Sequence, residues 1–231
     1  MIRFAKIDMN IDIQAIQKEV MQLSSDWQLH LNIKDYAGSW SALSLRSPGG
    51  KANNIIPQLL SDTQVFEDTP LMTQCPAIQK VIAGLECPVC SVRLLNLTSG
   101  SVIKPHKDAD LAFEKGEARL HIPIFTNEKV LFYSEDELVP MREGECWYLN
   151  ANLIHSVENN SNSDRIHLVI DCMVNDWLKD IFDNAEKSEK EDVENIEETL
   201  LVIDELKRSN TPATLAWAAS LESRLKQNVL N

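Results

Sequence analysis

Apolar positions follow two rhythms along the chain: three-to-four spacing at its ends, and alternation or short solid runs through its middle. Ile13, Ile16, Val20 and Leu23 step by three, four and three, which predicts an amphipathic helix capped by Asn10 or Asp12. Residues 39–47 read as a strand ended by Pro48-Gly49-Gly50, and residues 73–85 as a short helix beginning near Pro76. Strand signals then crowd together at 91–98, 102–106, 118–125, 129–134, 145–149, 154–158 and 165–173. Turn residues separate them at Ser99-Gly100, Thr126-Asn127, Arg142-Glu143-Gly144 and 159–164. Many short strands at close spacing predict a β-sandwich or barrel, and the jelly-roll barrel is the one with an open mouth for a metal site.

Beyond Trp177 the pattern changes. Residues 183–208 hold ten acidic and four basic side chains, yet Val193, Ile196, Leu200, Ile203 and Leu206 keep helical spacing. Thr211-Pro212 reads as a cap followed by proline in the first turn, and Trp217, Leu221 and Leu225 mark a second helix. The expected organisation is a mainly β domain with N-terminal helical elements over 1–180 and an acidic helical hairpin over 181–231. The hairpin is expected to pack on the barrel or to form a homodimer contact.

Composition narrows the class. At 231 residues, 44% hydrophobic and 25% charged, the chain has the make-up of a globular protein with a sizeable core. A net charge of −13 repels phosphate backbones, so neither nucleic acid nor an anionic membrane is an expected partner. No apolar run reaches the roughly 20 residues that span a bilayer. The first residues carry no long apolar stretch, which predicts a cytoplasmic protein without a signal peptide. Five scattered cysteines fit reduced thiols, and Cys87-Pro88-Val89-Cys90 runs into a strand, which favours packing thiols over a redox pair.

Candidate chemistry centres on His106, Asp108 and His155. Two histidines and a carboxylate form the facial triad that holds non-haem Fe(II) with coordination positions open. In an extended segment residues i and i+2 face the same side, so one metal can meet both His106 and Asp108, while His155 arrives from a later strand. Arg165 opens the strand that follows, where its guanidinium can grip a carboxylate. Alternation puts Arg165, His167, Val169 and Asp171 on one face of that strand, and Arg119 and His121 on one face of another.

The runs Arg93-Leu94-Leu95-Asn96-Leu97, Gly100 to Asp108, Arg119-Leu120-His121-Ile122-Pro123-Ile124, Gly144-Glu145-Cys146-Trp147-Tyr148 and His155 to Asp171 resemble, in order and spacing, the aspartyl/asparaginyl β-hydroxylase family of Fe(II)/2-oxoglutarate dioxygenases. That family includes peptidyl hydroxylases and small bacterial hydroxylases of free amino acids such as proline. The resemblance runs from about Cys90 to Trp177. It implies a double-stranded β-helix (jelly-roll, cupin-like) barrel and a hydroxylase that uses Fe(II), 2-oxoglutarate and O₂. The metal and catalytic residues it implies are His106, Asp108 and His155. Arg165 would take part in binding 2-oxoglutarate, and Arg119 and His121 would contribute, with His121 alternatively a donor that fixes a carboxylate. Some members have glycine at the position of Asp108, and this chain keeps the carboxylate.

Arg93 and Trp40 are candidate substrate-binding residues, because an amino-acid substrate needs a cation for its carboxylate; Arg46 is a further candidate cation. His30 and His167 read as ordinary partnered histidines. The expected partner is a small amino acid or a peptidyl residue. One alternative is a cupin-type metalloprotein, which usually presents His-x-His; the His106-x-Asp108 order and Arg165 argue against it. The other is a catalytically silent binding module, which would be expected to have lost a ligand or the arginine.

Overall fold

The strand-rich middle of the sequence folds into two antiparallel sheets laid face to face. The structure, a computed structural model, describes residues 1–23, 27–58, 65–190 and 196–228. In chain order the elements are β1 (Ile2–Ile7), α1 (Ile13–Gln22), β2 (Gln28–Leu29), β3 (Tyr36–Ala37), β4 (Trp40–Pro48), β5 (Phe66–Asp68), α2 (Pro76–Ala83), β6 (Val89–Leu97), β7 (Val102–His106), β8 (Glu117–Phe125), β9 (Val130–Ser134), β10 (Glu137–Leu138), β11 (Cys146–Leu149), β12 (His155–Asn159), β13 (Arg165–Met173), α3 (Asp176–Asn184), β14 (Glu186–Glu189), α4 (Ile196–Ser209) and α5 (Pro212–Asn228). The larger sheet runs β14-β1-β11-β8-β13-β6-β4-β2, with β5 also on β4, and the smaller runs β10-β9-β12-β7-β3. This is a double-stranded β-helix, mainly β with flanking helices.

Alternation sorts each strand of the larger sheet between two cores. On β6, β8 and β13 the residues Val92, Leu94, Leu120, Ile122, Leu168 and Ile170 face the helices, where Ile16 and Val20 of α1, Ile78 and Val81 of α2, and Leu178 and Phe182 of α3 cover them. Their neighbours Leu95, Leu97 and Val169 face the smaller sheet and meet Ile103, Phe132 and Val157. Each such aliphatic side chain contributes about 1.5–3 kcal/mol on burial. The helices begin where their caps put them. The Asp12 carboxylate accepts the Ala15 N–H at 3.1 Å, and the Asn175 side chain accepts the Leu178 N–H at 3.1 Å.

The turn between β3 and β4 depends on Gly38. Its φ is +86°, and a Cβ there would lie 2.2 Å from Ser101 Oγ, which accepts the Ser39 N–H at 2.9 Å. The five thiols are free, and burial pushes the partly buried Cys90 up to about 11 and the buried Cys146 up to about 12, which favours the protonated thiol in both.

Residues 2–189 form one compact unit, and Met1 with the chain from 190 onward forms the other. The first unit includes α3, which covers the helix-side core, and β14, which pairs with β1. In the second unit α4 and α5 make a helical hairpin closed on Ile203, Ala218 and Leu221, with Leu206 beside them. Thr211 Oγ1 accepts the Thr214 N–H at 3.2 Å and opens α5. Leu200 and Trp217, which marked helical spacing in the sequence, lie on α4 and α5 but face outward, 49% and 59% exposed. The neighbouring Ala218, 1% exposed, is buried in the contact between the two helices. Val193 lies outside the described residues, as do the side chains of Ile196 and Leu225. No helix among the described residues is long and apolar enough to cross a membrane.

Candidate active site

His106 closes β7 and His155 opens β12, and antiparallel pairing sets them directly opposite each other, with ring centroids 4.2 Å apart. Asp108 follows just beyond the strand end, where its N–H donates to the Ala151 carbonyl at 2.8 Å. One ligand atom from each of His106, Asp108 and His155 lies within 4.8 Å of the other two. Both imidazoles are oriented in the same way. His106 Nδ1 is 2.8 Å from the Lys104 carbonyl, and His155 Nδ1 is 3.0 Å from the Leu153 carbonyl. A carbonyl only accepts, so Nδ1 carries the hydrogen and Nε2 keeps its lone pair for a metal. Burial, aided by His106, lowers His155 to about 4, so it is neutral at physiological pH.

Behind the triad lies a buried network of alternating charge. Arg119 donates from Nη1 to Asp108 and from Nε to Asp171 at 2.7 Å, and Arg93 Nη2 donates to Asp171 at 2.9 Å. Ser91 Oγ adds a fifth residue to it, donating to the Asp171 carboxylate at 2.7 Å. Burial works to raise both carboxyls. For Asp108 the Arg119 guanidinium and the two histidines outweigh it, and for Asp171 Arg119 and Arg93 do, so both are held below the usual range.

A second buried cluster has the opposite character. Arg165 is 1% exposed, and burial alone lowers it to about 9. Among the described residues no carboxylate pairs with it. Its Nη2 lies 2.6 Å from His167 Nδ1, and its guanidinium lies 5.8 Å from the centroid of the Phe132 ring. Arginine only donates, so His167 Nδ1 accepts and Nε2 carries the hydrogen. That Nε2, Arg165 Nε and both ring nitrogens of His121 are buried without a partner. Phe132 connects this cluster to the triad, stacking 6.3 Å from His155 and edge-on 5.5 Å from His121.

A cavity of about 180 Å³ opens beside Asp108, lined by His30, Trp40, Ile55, Arg93, Leu95 and Arg119, among others. His30 stacks on Trp40 with centroids 3.5 Å apart. Burial, and then Arg93, lowers His30 to about 4. Arg46 lies elsewhere, paired with Asp68 at 2.8 Å.

The fold thus brings His106, Asp108, His155, Arg119, His121 and Arg165 into one interior, with Arg93 and Trp40 at its cavity. Sequence reasoning gave no role to Asp171, and it read His30 and His167 as ordinary histidines. His167 stands two residues from Arg165 on the same strand face, and that was the available signal. His30 sits in a short irregular segment with no pattern to mark it.

Residues 10–174 match the sequence profile of aspartyl/asparaginyl beta-hydroxylase. The chain is 29% identical over 172 residues to the L-proline cis-4-hydroxylase of Rhizobium meliloti, across 73% of its own length and 58% of that relative's. Among solved structures, an oxidoreductase of the 2OG-Fe(II) oxygenase family from Burkholderia pseudomallei aligns with a TM-score of 0.45 at 10% identity, over 70% of this chain and 78% of that one. A non-haem α-ketoglutarate-dependent epimerase of nogalamycin biosynthesis aligns with a TM-score of 0.45 at 14% identity, over 74% and 78%.

Proposed function

Because the chain belongs to the aspartyl/asparaginyl β-hydroxylase family, we propose that it is an Fe(II)- and 2-oxoglutarate-dependent hydroxylase acting on a small amino acid. The observation that carries this reading is the Arg165 cluster. A buried guanidinium without a carboxylate, next to imidazole nitrogens without partners, has the chemistry to receive a carboxylate from outside the protein. The donor set suits the remaining group equally. Two imidazoles with free Nε2 lone pairs and one carboxylate fit Fe(II) and leave positions open.

His106, Asp108 and His155 would hold the metal, and Arg165, with His121 and His167, the distal carboxylate of 2-oxoglutarate. When bound, metal, cosubstrate and O₂ supply the oxidising power for C–H hydroxylation, with succinate and CO₂ as coproducts. The protein's part is orientation and exclusion of water. Arg165 fixes one end of the cosubstrate, and the apolar contacts around Phe132 keep the cluster dry. A free amino acid is the favoured substrate because the cavity is small, Arg93 offers a cation for an α-carboxylate, and Trp40, Ile55 and Leu95 offer an apolar wall for an aliphatic or cyclic side chain. The L-proline hydroxylase relative supports the same class.

Anaerobic titration with Fe(II) and 2-oxoglutarate tests the site. A visible charge-transfer band that needs both additives, is lost in His106→Ala and demands more 2-oxoglutarate in Arg165→Ala is the expected result. Succinate release with L-proline against Asp- and Asn-containing peptides then tests the substrate. No band from folded, metal-loaded protein overturns the reading in favour of a cupin-type or silent binding role.

A further inference from the structure

Four hydrogen bonds converge on the two oxygens of Asp171. Arg119 donates from Nε to Oδ1 at 2.7 Å and from Nη2 to Oδ2 at 3.2 Å, while Arg93 Nη2 at 2.9 Å and Ser91 Oγ at 2.7 Å share Oδ2. The geometry follows from strand order. Asp171 lies on β13, Arg119 is its register partner on β8, and Arg93 and Ser91 come from β6 on the other flank. One central-strand carboxylate therefore ties together both neighbouring strands at the level of the cavity.

The two arginines lead to different parts of the site. Arg119 has committed its Nε–Nη2 edge to Asp171, so only Nη1 reaches Asp108. Arg93 borders the cavity, and its Nε has no partner. We propose that Asp171 is a positioning residue that holds the metal-facing Arg119 and the substrate-facing Arg93 in fixed relation, so that one buried anchor sets both the orientation of Asp108 and the place of the substrate's carboxylate. This inference rests on the function proposed above. Its physical basis is competition. With the fork of Arg119 occupied by Asp171, Asp108 gives up a single acceptor position and keeps the rest for a metal. Without the charge of Asp171, Arg119 has Asp108 as its only carboxylate and draws it off the metal position.

The test is Co(II) binding followed by its visible spectrum in the wild-type protein, Asp171→Asn, Ser91→Ala and His106→Ala, together with KM and kcat for L-proline. Groups that orient metal ligands typically change metal affinity 10–100-fold when lost. Asp171→Asn is therefore expected to weaken Co(II) binding at least ~10-fold and to raise the KM for L-proline. Ser91→Ala, which removes a neutral donor and leaves both ion pairs, should stay near wild type in Co(II) affinity. A folded Asp171→Asn protein with wild-type Co(II) affinity overturns the proposal. If that variant does not fold, Arg119→Lys decides. It keeps the charge but cannot span both aspartates, so it must show the same weakening, and unchanged affinity overturns the proposal. If wild type and His106→Ala bind Co(II) alike, the assignment of the metal site itself falls, and this inference falls with it.

Discussion

Arg165→Met separates the energetic cost of the buried Arg165 guanidinium from the cosubstrate-binding use proposed for it. Burial brings the Arg165 guanidinium from an ordinary value of 12.5 to about 9, which corresponds to roughly 5 kcal/mol against the charged form. Methionine is apolar and removes that penalty. It also strands His167 Nδ1, at a cost of about 1–3 kcal/mol, and forfeits the contact with Phe132, worth on the order of 1 kcal/mol. The balance is a gain of about 1–3 kcal/mol for the protein without ligand, within what apolar replacement of buried ionic groups produces. For a chain of this size that raises Tm by roughly 2–12 °C.

The sign with pH follows from the direction of the shift. The folded state holds the Arg165 proton less tightly than the unfolded state, so the penalty is complete below pH 9 and fades as pH rises from 9 towards 12.5. Wild type therefore gains on Arg165→Met by about 2 kcal/mol on going to pH 10.5. 2-Oxoglutarate at 1,000 times its wild-type Kd reverses the order at neutral pH, because it stabilises wild type by about 4.1 kcal/mol, more than the variant's advantage, and stabilises the weaker-binding variant far less. Calorimetric melts at pH 7.5 and 10.5, with and without 2-oxoglutarate, contain every comparison. A variant less stable than wild type without ligand at pH 7.5, or a stability gap that does not change with pH, refutes the reasoning.

Two further substitutions probe other levels of the structure. Asp12→Ala removes the cap on the Ala15 N–H and should cost about 1 kcal/mol, seen as a Tm lowered by roughly 2–4 °C with Co(II) affinity unchanged. Trp40→Ala removes the ring on which His30 stacks at the cavity wall; it should raise the KM for L-proline at least ~10-fold, the equivalent of one good apolar contact, and leave the Fe(II)–2-oxoglutarate band intact.

The double-stranded β-helix was legible because each long strand separates two cores and alternates accordingly. Leu120 and Ile122 face the helices while Arg119 and His121 face inward. Elements at the margins were harder to read. β1 offers only six residues, and its burial depends on β11 and β14, which no local pattern announces. α3 does carry a signal, with Asn175 as cap and Trp177, Leu178, Ile181 and Phe182 on one face, but the acidic run that follows obscured it. Trp217 marked α5 correctly, while the residues that the α4–α5 contact buries include its small neighbour Ala218.

The site divides along the same line between local and non-local information. His106 and Asp108 are legible together because their spacing alone sets them on one side of the chain. Arg119 and Arg165 look alike in sequence, since each is a cation on the inner face of a strand with a histidine two residues on. Their environments are opposite because β8, β13 and β6 lie side by side in an order the chain does not follow. Arg119 falls opposite Asp171, whereas Arg165 falls opposite Leu97 on β6. A buried cation matched by two carboxylates is internal scaffolding. A buried cation matched by none among the described residues has the chemistry to receive an outside anion, the role proposed for Arg165, and only the strand order distinguishes the two.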